Sequence, residues 1–371
     1  MDFSTGKWQN WLTDIQDHKR NLRICDRPLV LLGAGSVLAQ DFVTHCLRQG
    51  KVLALVDNAR RGQTDRGVPV LGDADIAALM QRVPDAIGVL CCGSEVALEH
   101  FQNLWGESHS LLSYFEVIHS WEDQSNAGHR LRFLASFSDQ DTLFAQFDAA
   151  RSAFQDEESR RVLDALILYR LTWDLRYISR VRRPEKDIYF DSEIMPLNTQ
   201  EVFVDGGAFD GDTVRNFIKK TRGHYDHIHA FEIDPVNSEA FAAKTKDAPR
   251  VTLHRTGLWN EPAKIGLEHR PDDGSRINED ATQRVPLQAM DNLDLGSVSL
   301  IKLDVEGAEV QALEGGRSLI EKHRPKLAVC AYHKADDLAK LLKTLGEIRN
   351  DYRLYLRHYS PIIFDTVIYA L

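Results

Sequence analysis

Short apolar runs alternate with amphipathic stretches twice along this chain, and a long stretch of helical periodicity lies between. "RPLVLLGAGSVLAQDFVTHCLRQGKVLALVDN" reads as strand, glycine turn, helix and strand, a βαβ unit. "GVPVLG", "DADIAALMQRV" and "AIGVLCCG" add a strand, a helix and a strand, so residues 27–125 are expected to form a Rossmann-like α/β domain. Residues 139–180 hold no Gly or Pro and place apolar side chains at helical spacing, which predicts one or two helices within a linker over 126–186. Residues 1–26 are polar and amphipathic, an N-terminal helix. From 201 the α/β pattern restarts, with strands expected at 201–205, 227–232, 251–257, 298–304, 326–332, 352–357 and 366–370 and helices between the earlier ones. A short Pro-containing loop separates the last two runs. That predicts an antiparallel hairpin closing a mostly parallel sheet over 187–371.

The length of 371 residues suits two such domains, and 43% hydrophobic with 27% charged residues is a globular balance. A net charge of −10 argues against a chain whose main task is to grip nucleic acid. The five cysteines form no CxxC pair and an odd count makes a poor disulfide framework, which points to a reducing, cytoplasmic setting. No stretch reads as a signal peptide or approaches the ~20 apolar residues of a membrane helix.

The chemistry gathers in "VFVDGGAFDGDT", residues 202–213, a strand running into a glycine loop. Phosphate-cradling loops avoid carboxylates, yet Asp205, Asp210 and Asp212 crowd this one. Gly206, Gly207 and Gly211 would let backbone approach a ligand, with Thr213 opening the next helix. Twenty-one residues past Gly211, Glu232 ends the following strand, where an acid takes ribose hydroxyls. A ligand with a ribose, an adenine and a sulfonium answers this pattern, and S-adenosylmethionine (SAM) is one. Asp205, Gly206, Gly207, Asp210, Gly211, Thr213, Glu232, Ile233 and, more loosely, Gly257 are the expected cofactor contacts. The plainer reading of the glycines is a tight strand–helix turn.

Seven ordered stretches carry a resemblance: "YFDSEIMPL", "EVFVDGGAFDGDT", "AFEIDP", "VPLQAMDNL", "IKLDVEGAEVQALEGG", "RPKLAVCAYHKADDL" and "LRHYSPIIFDTVIYAL". On these, residues 187–371 resemble the FkbM-type methyltransferases. The resemblance implies a class I methyltransferase sheet and SAM-dependent methyl transfer, generally to oxygen and often on a sugar or natural-product hydroxyl.

A hydroxyl acceptor must lose its proton during transfer. Asp304 is expected at the end of the fourth strand, flanking the methyl, and Glu306 lies two residues on. His333 ends the fifth strand, where a neutral imidazole could act as base. These three are the candidate catalytic residues; Glu309, inside a helix, reads as structural. Tyr189, Phe190 and His358 are candidates for the acceptor pocket. Asp304, Glu306 and His333 could also chelate a divalent metal, but no tight ligand spacing implies one and none is assigned.

In the first domain Gly33, Gly35 and Asp57, 22 residues after Gly35, form a dinucleotide-like layout that could hold a nucleotide or nucleotide-sugar. Leu38 stands where a third small residue belongs, so packing or homodimer formation competes. The acceptor partner is expected to be a small molecule, with no nucleic acid or membrane. The alternatives are an NAD-dependent oxidoreductase, for which no YxxxK arrangement follows the first domain, and a non-catalytic nucleotide-binding protein. A base N-methyltransferase is disfavoured because "DVEG" replaces the Asp/Asn-Pro-Pro-aromatic motif.

Overall fold

The computed structural model describes residues 27–35, 39–93, 95–106, 110–119, 149–172, 174–270, 274–277, 281–334 and 336–371. The expected helix over 1–26 lies outside them, as does much of the expected linker. The described residues fall into two compact units: those within Met1–Ser138, Arg161–Arg182 and Ser360–Ile363, and those within Asp139–Arg160, Arg183–Tyr359 and Phe364–Leu371.

The first unit is a six-stranded sheet of β1 (Leu29–Leu32), β2 (Val52–Val56), β3 (Thr64–Asp65), β4 (Val68–Leu71), β5 (Ile87–Leu90) and β6 (Leu111–Ser113), in the order β3-β4-β2-β1-β5-β6. All pairs are parallel except the short β3–β4 ribbon. Helices α1 (Gln40–Gln49), α2 (Asp73–Arg82), α3 (Glu95–Trp105) and α4 (Tyr114–His119) connect or follow the strands. Strand order reverses between β1 and β5, the doubly wound pattern expected from the alternating runs. All four residues of β1 and of β5 are buried, as near-continuous apolar runs in a parallel sheet require. Two further helices, α5 (Glu157–Thr172) and α6 (Leu175–Ser179), cover the region read as helical.

The second unit is built on seven strands: β7 (Val202–Gly206), β8 (His227–Phe231), β9 (Val251–His254), β14 (Leu300–Leu303), β15 (Lys326–Cys330), β16 (Leu354–His358) and β17 (Thr366–Ala370). Their order is β16-β17-β15-β14-β7-β8-β9, and β17 runs antiparallel to both neighbours. The expected terminal hairpin is therefore present in a mostly parallel methyltransferase-type sheet. Helices α7 (Asp212–Lys220), α8 (Pro235–Thr245), α9 (Glu309–Gly315), α10 (Arg317–His323) and α11 (Asp337–Ile348) follow β7, β8, β14 and β15. Phe190, Phe203 and Phe217 pack edge-on or tilted in the core at 4.7–5.6 Å between ring centroids.

No α-helix bridges β9 to β14 among the described residues. A small second sheet stands there instead: β10 (Gly257–Leu258), β11 (Ala263–Arg270), β12 (Gly274–Ile277) and β13 (Arg284–Gln288), ordered β10-β13-β11-β12. β13 alternates exposed and buried side chains as a strand of a one-sided sheet does.

Candidate functional site

The strand order sets the site. β15, β14, β7 and β8 are successive neighbours, so His333, Asp304, Asp205 and Glu232, each at or just past a strand end, are gathered along one edge. Register pairs Lys302 with Asp205 and Leu303 with Gly206.

Beneath the glycine loop lies a buried ion pair. Lys302 is 1% exposed and Asp205 0% exposed. The Lys302 Nζ sits 3.1 Å from Asp205 Oδ1 and donates to the carbonyls of Gly206 at 3.1 Å and Gly207 at 2.7 Å. Burial works against its charge, but Asp205 and Asp304 outweigh this and hold the ammonium pKa above its ordinary value. The Tyr189 ring lies 5.2 Å from the same ammonium. Asp205 therefore anchors the loop from below.

The glycines face protein. A Cβ on Gly207, at φ +78, would lie 1.8 Å from the Asp304 carbonyl oxygen. On Gly206 it would meet Leu258 and Leu303, and on Gly211, at φ +84, Thr245 and Phe241. Close packing of loop on strand demands glycine at these positions. The loop amides are also engaged. Gly207 and Ala208 donate to Phe231, Gly211 to Ala208, Phe209 to Glu232 and Asp212 to Asp210. No run of unpaired N–H groups is left at these five positions to cradle a phosphate.

Glu232 closes the loop from the other side. Its Oε2 accepts from Phe209 N and its Oε1 from Asp234 N, both at 2.7 Å. Burial raises its pKa against those two bonds. Each oxygen retains a second lone pair for a hydroxyl donor. Ile233 and Gly257 come together, since a Gly257 Cβ would lie 3.0 Å from Ile233 Cδ1. Thr213 is buried in the first turn of α7. Asp210 is a correction: its carboxylate turns outward to Lys244 and to Arg215, 3.4 Å away.

Across the edge stands a cluster around His333, 4% exposed. Its Nδ1 is 3.0 Å from Glu309 Oε1, which also accepts from Val305 N at 2.9 Å and Gly307 N at 3.3 Å. Its Nε2 is 3.4 Å from Asp304 Oδ1 and 3.7 Å from Glu306 Oε2. Asp304 accepts from Tyr189 at 2.8 Å on Oδ2 and from Tyr332 at 3.2 Å on Oδ1. Burial opposes the imidazolium, but the Glu309 bond and the charges of Glu309, Asp304 and Glu306 prevail and raise the His333 pKa to about 9. The neutral base expected at this position is thus an imidazolium at pH 7 while these carboxylates surround it alone. Glu309, read as structural, orients it. Asp365, from the terminal hairpin, also faces this group, and burial followed by the Asp304 charge raises its pKa to about 7. Its place in a turn, at φ 59, gave no pattern from which to find it. Asp304, Glu309 and His333 offer donor atoms within 4.8 Å of one another.

Two of the three acceptor-pocket candidates are displaced. Phe190 is 1% exposed in the aromatic core, and His358 is 0% exposed with Nδ1 2.9 Å from Thr366 Oγ1. Neither can line a pocket in this conformation. Tyr189 reaches the site, but its hydroxyl is committed to Asp304 and positions that carboxylate. In the first unit Gly35 lies against Asp57, with a Gly35 Cβ 2.7 Å from Oδ2, while the open side of Gly33 is filled by Cys92 and Phe101.

Residues 205–355 match the family model for the methyltransferase FkbM domain. The match lies within the second unit, and that family implies SAM as the methyl donor. The chain is similar to the crystal structure of methyltransferase FkbM from Methylobacillus flagellatus KT, at 24% identity and TM-score 0.75, over 97% of this chain and 99% of that one. That likeness extends the shared fold across both units. An rRNA methylase from Streptococcus thermophilus matches at 14% identity and TM-score 0.33, over 51% of this chain and 95% of that one. Precorrin-6y C5,15-methyltransferase from Geobacter metallireducens GS-15 matches at 14% and 0.30, over 46% and 80%. No curated protein matches the chain. Among the described residues, no helix is long and apolar enough to cross a membrane.

Proposed function

We propose that the chain is an O-methyltransferase that transfers the methyl group of SAM to a hydroxyl of a sugar, nucleotide-sugar or related natural product. The observation that carries this reading is the state of the glycine loop: its amides are spoken for, and the edge beside it bears carboxylates. A sulfonium with ribose hydroxyls suits that edge better than a pyrophosphate. Asp205 and Gly206–Gly207 shape the cofactor wall, Glu232 accepts from the ribose, and Ile233 with Gly257 flanks the adenine. On the far side Asp304 and His333 face the acceptor hydroxyl, and Glu306 lies at the rim.

The bond change is simple. An acceptor oxygen lone pair forms the O–CH3 bond, and the CH3–S pair stays on sulfur to leave neutral S-adenosylhomocysteine (SAH). The acceptor proton departs to solvent. SAM supplies the electrophile; these residues supply alignment, worth up to about 7–11 kcal/mol of a barrier, and charge stabilisation at the oxygen. Gly35 and Asp57 in the first unit belong to a nucleotide-binding role in the same reading, and the chain's partners are small molecules.

Calorimetry of the full chain with SAH, SAM and NADH, followed by mass spectrometry of methyl transfer to a panel of sugars and nucleotide-sugars, tests this. SAH binding at micromolar concentration and a gain of one methyl on a hydroxyl are expected. NADH displacing SAH, or methylation only at nitrogen, would refute it.

A further inference from the structure

The geometry points to Asp365 as the catalytic base of the transfer, the group that takes the proton from the acceptor hydroxyl. The inference rests on the methyltransferase reading and gives that proton its first stop on the way to solvent.

The terminal hairpin delivers this residue to the site. β17 runs antiparallel to β15, with Val367 opposite Cys330. The Ala331 amide donates to the Thr366 carbonyl at 2.9 Å, so the pairing continues past the end of β15. Asp365 is the next residue back from Thr366, and His333 lies two residues past Ala331. Both therefore reach the edge where Asp304 follows β14. The Asp365 carbonyl accepts from Tyr359 N at 3.1 Å, and its backbone is left-handed at φ 59. Aspartate is one of the few side chains that tolerate this conformation. Phe364 beside it packs edge-on to Tyr332, with ring centroids 5.8 Å apart. The charges that act on the Asp365 carboxylate come from Asp304, from Glu185 in the turn Glu185–Asp187 and from His333. The Tyr189 and Tyr332 hydroxyls feel it in turn.

The other candidates for the proton are engaged. His333, with its pKa near 9, already carries a proton at pH 7. Asp304 accepts from both tyrosines; burial opposes its charge, but Lys302, His333 and those two bonds hold its pKa below the ordinary value. Glu309 Oε1 is taken by Val305 N, Gly307 N and His333. Glu306 stands at the rim with its side chain 77% exposed. Asp365 differs on each count. Among the described residues no hydrogen bond or ion pair engages its carboxylate, and the residue is half-buried, so a proton taken up there can pass on to water. Burial, then the Asp304 and Glu185 charges, raise its pKa to about 7, with His333 pulling the other way. A base poised near the working pH combines a populated carboxylate with a strong pull on the proton. The step balances. The acceptor O–H proton moves to an Asp365 oxygen while the acceptor lone pair forms the O–CH3 bond and the CH3–S pair stays on sulfur. Asp365 then releases the proton to solvent.

Asparagine also accepts a left-handed backbone, so Asp365→Asn should fold as wild type does. With the acceptor that the sugar panel identifies, this variant should lose about 100–10,000-fold in kcat, while its SAH affinity by calorimetry stays within about twofold. The wild-type rate should fall on the acid side as the Asp365 carboxyl takes up its proton, and the variant should lack that acid limb. A second measurement needs no acceptor. In full-length protein labelled with 13C at the aspartate carboxyls, the resonance missing from Asp365→Asn should titrate at about pH 7. A kcat within about threefold of wild type, or a carboxyl that titrates near the ordinary ~3.9, overturns the base and leaves the methyltransferase reading intact. So does an acid limb that survives in Asp365→Asn and vanishes in Glu306→Gln, which would assign the proton to Glu306. Wild-type protein that neither binds SAH nor transfers a methyl group overturns that reading itself, whatever pH the carboxyl titrates at.

Discussion

Replacing Lys302 with Met keeps the chain length and removes the charge. The variant leaves Asp205, whose pKa burial already raises to about 6, without its counter-charge at 0% exposure and strips the Gly207 carbonyl of a 2.7 Å donor. Gly206 keeps the Asp304 amide at 3.0 Å, so one carbonyl is orphaned rather than two. Removing one member of a buried ion pair costs about 3–5 kcal/mol, because the remaining charge loses its compensation. That is a large share of the ~5–15 kcal/mol that holds a domain folded. Adding Asp205→Asn removes the stranded charge, and the double variant should recover at least half of the loss. Hydrogen exchange read by mass spectrometry on peptides covering 202–206 and 300–303 measures this locally, without assuming that both units unfold together. A single-variant cost below about 1 kcal/mol, or a double variant no better than the single, would refute the argument that this ion pair supports the loop.

Gly207→Ala drives a Cβ to 1.8 Å from the Asp304 carbonyl oxygen at a left-handed position, so SAH affinity should fall at least tenfold by calorimetry while the circular dichroism spectrum stays folded. Tyr189→Phe removes the 2.8 Å hydroxyl bond to Asp304, and turnover should drop roughly tenfold with SAH affinity unchanged; an equal loss in both would make Tyr189 a cofactor-wall residue instead. The pH prediction concerns His229, whose pKa burial and then the neighbouring His227 and His254 lower to about 4. The unfolded chain takes up this proton near the ordinary value of ~6.5, so between the two values it binds more protons than the folded one. Stability present above pH ~6.5 is therefore lost as pH falls towards ~4, by about 1–2 kcal/mol after allowing for water at the half-exposed ring. His229→Gln should flatten the difference in urea midpoint between pH 7 and pH 4.5, and an unchanged difference would show that other groups carry it.

The strand ends were legible because a parallel sheet writes them as apolar runs broken by glycine or an acid. Asp205, Glu232, Asp304 and His333 all stand at such breaks, and their convergence follows once strand order is known. What sequence spacing could not supply was direction. His358 sits on a strand buried at four of five positions, so no polar face marked which way it points; it finds Thr366 across the hairpin. Phe190 looked like half of an aromatic lid because neighbours in sequence look alike, although Tyr189, at φ 64, reaches Asp304 while Phe190 enters the core. Glu309 was hidden by its helix: the turn at Glu306 and Gly307 brings the first residue of α9 back onto the end of β15. The small sheet over 257–288 was not read from sequence because β11 and β12 hold few large apolar residues among their Gly, Lys, Arg and Glu.

The acids of the glycine loop do not act as their crowding suggested. Asp205 is neutralised from below by Lys302, and Asp210 is neutralised at the surface by Lys244 and Arg215. The loop therefore presents the crevice with little net charge of its own. Negative potential arises instead across the sheet edge, where Asp304, Glu306 and Glu309 outnumber one imidazole. A sulfonium held between the two walls would have its positive sulfur against the neutral loop and its methyl directed at the acidic side. A pyrophosphate in the same place would meet carboxylates and find the loop amides at 207, 208, 209, 211 and 212 already bonded. Selection between the two ligands then depends less on the loop's own acids than on what stands opposite it, at the ends of β14 and β15.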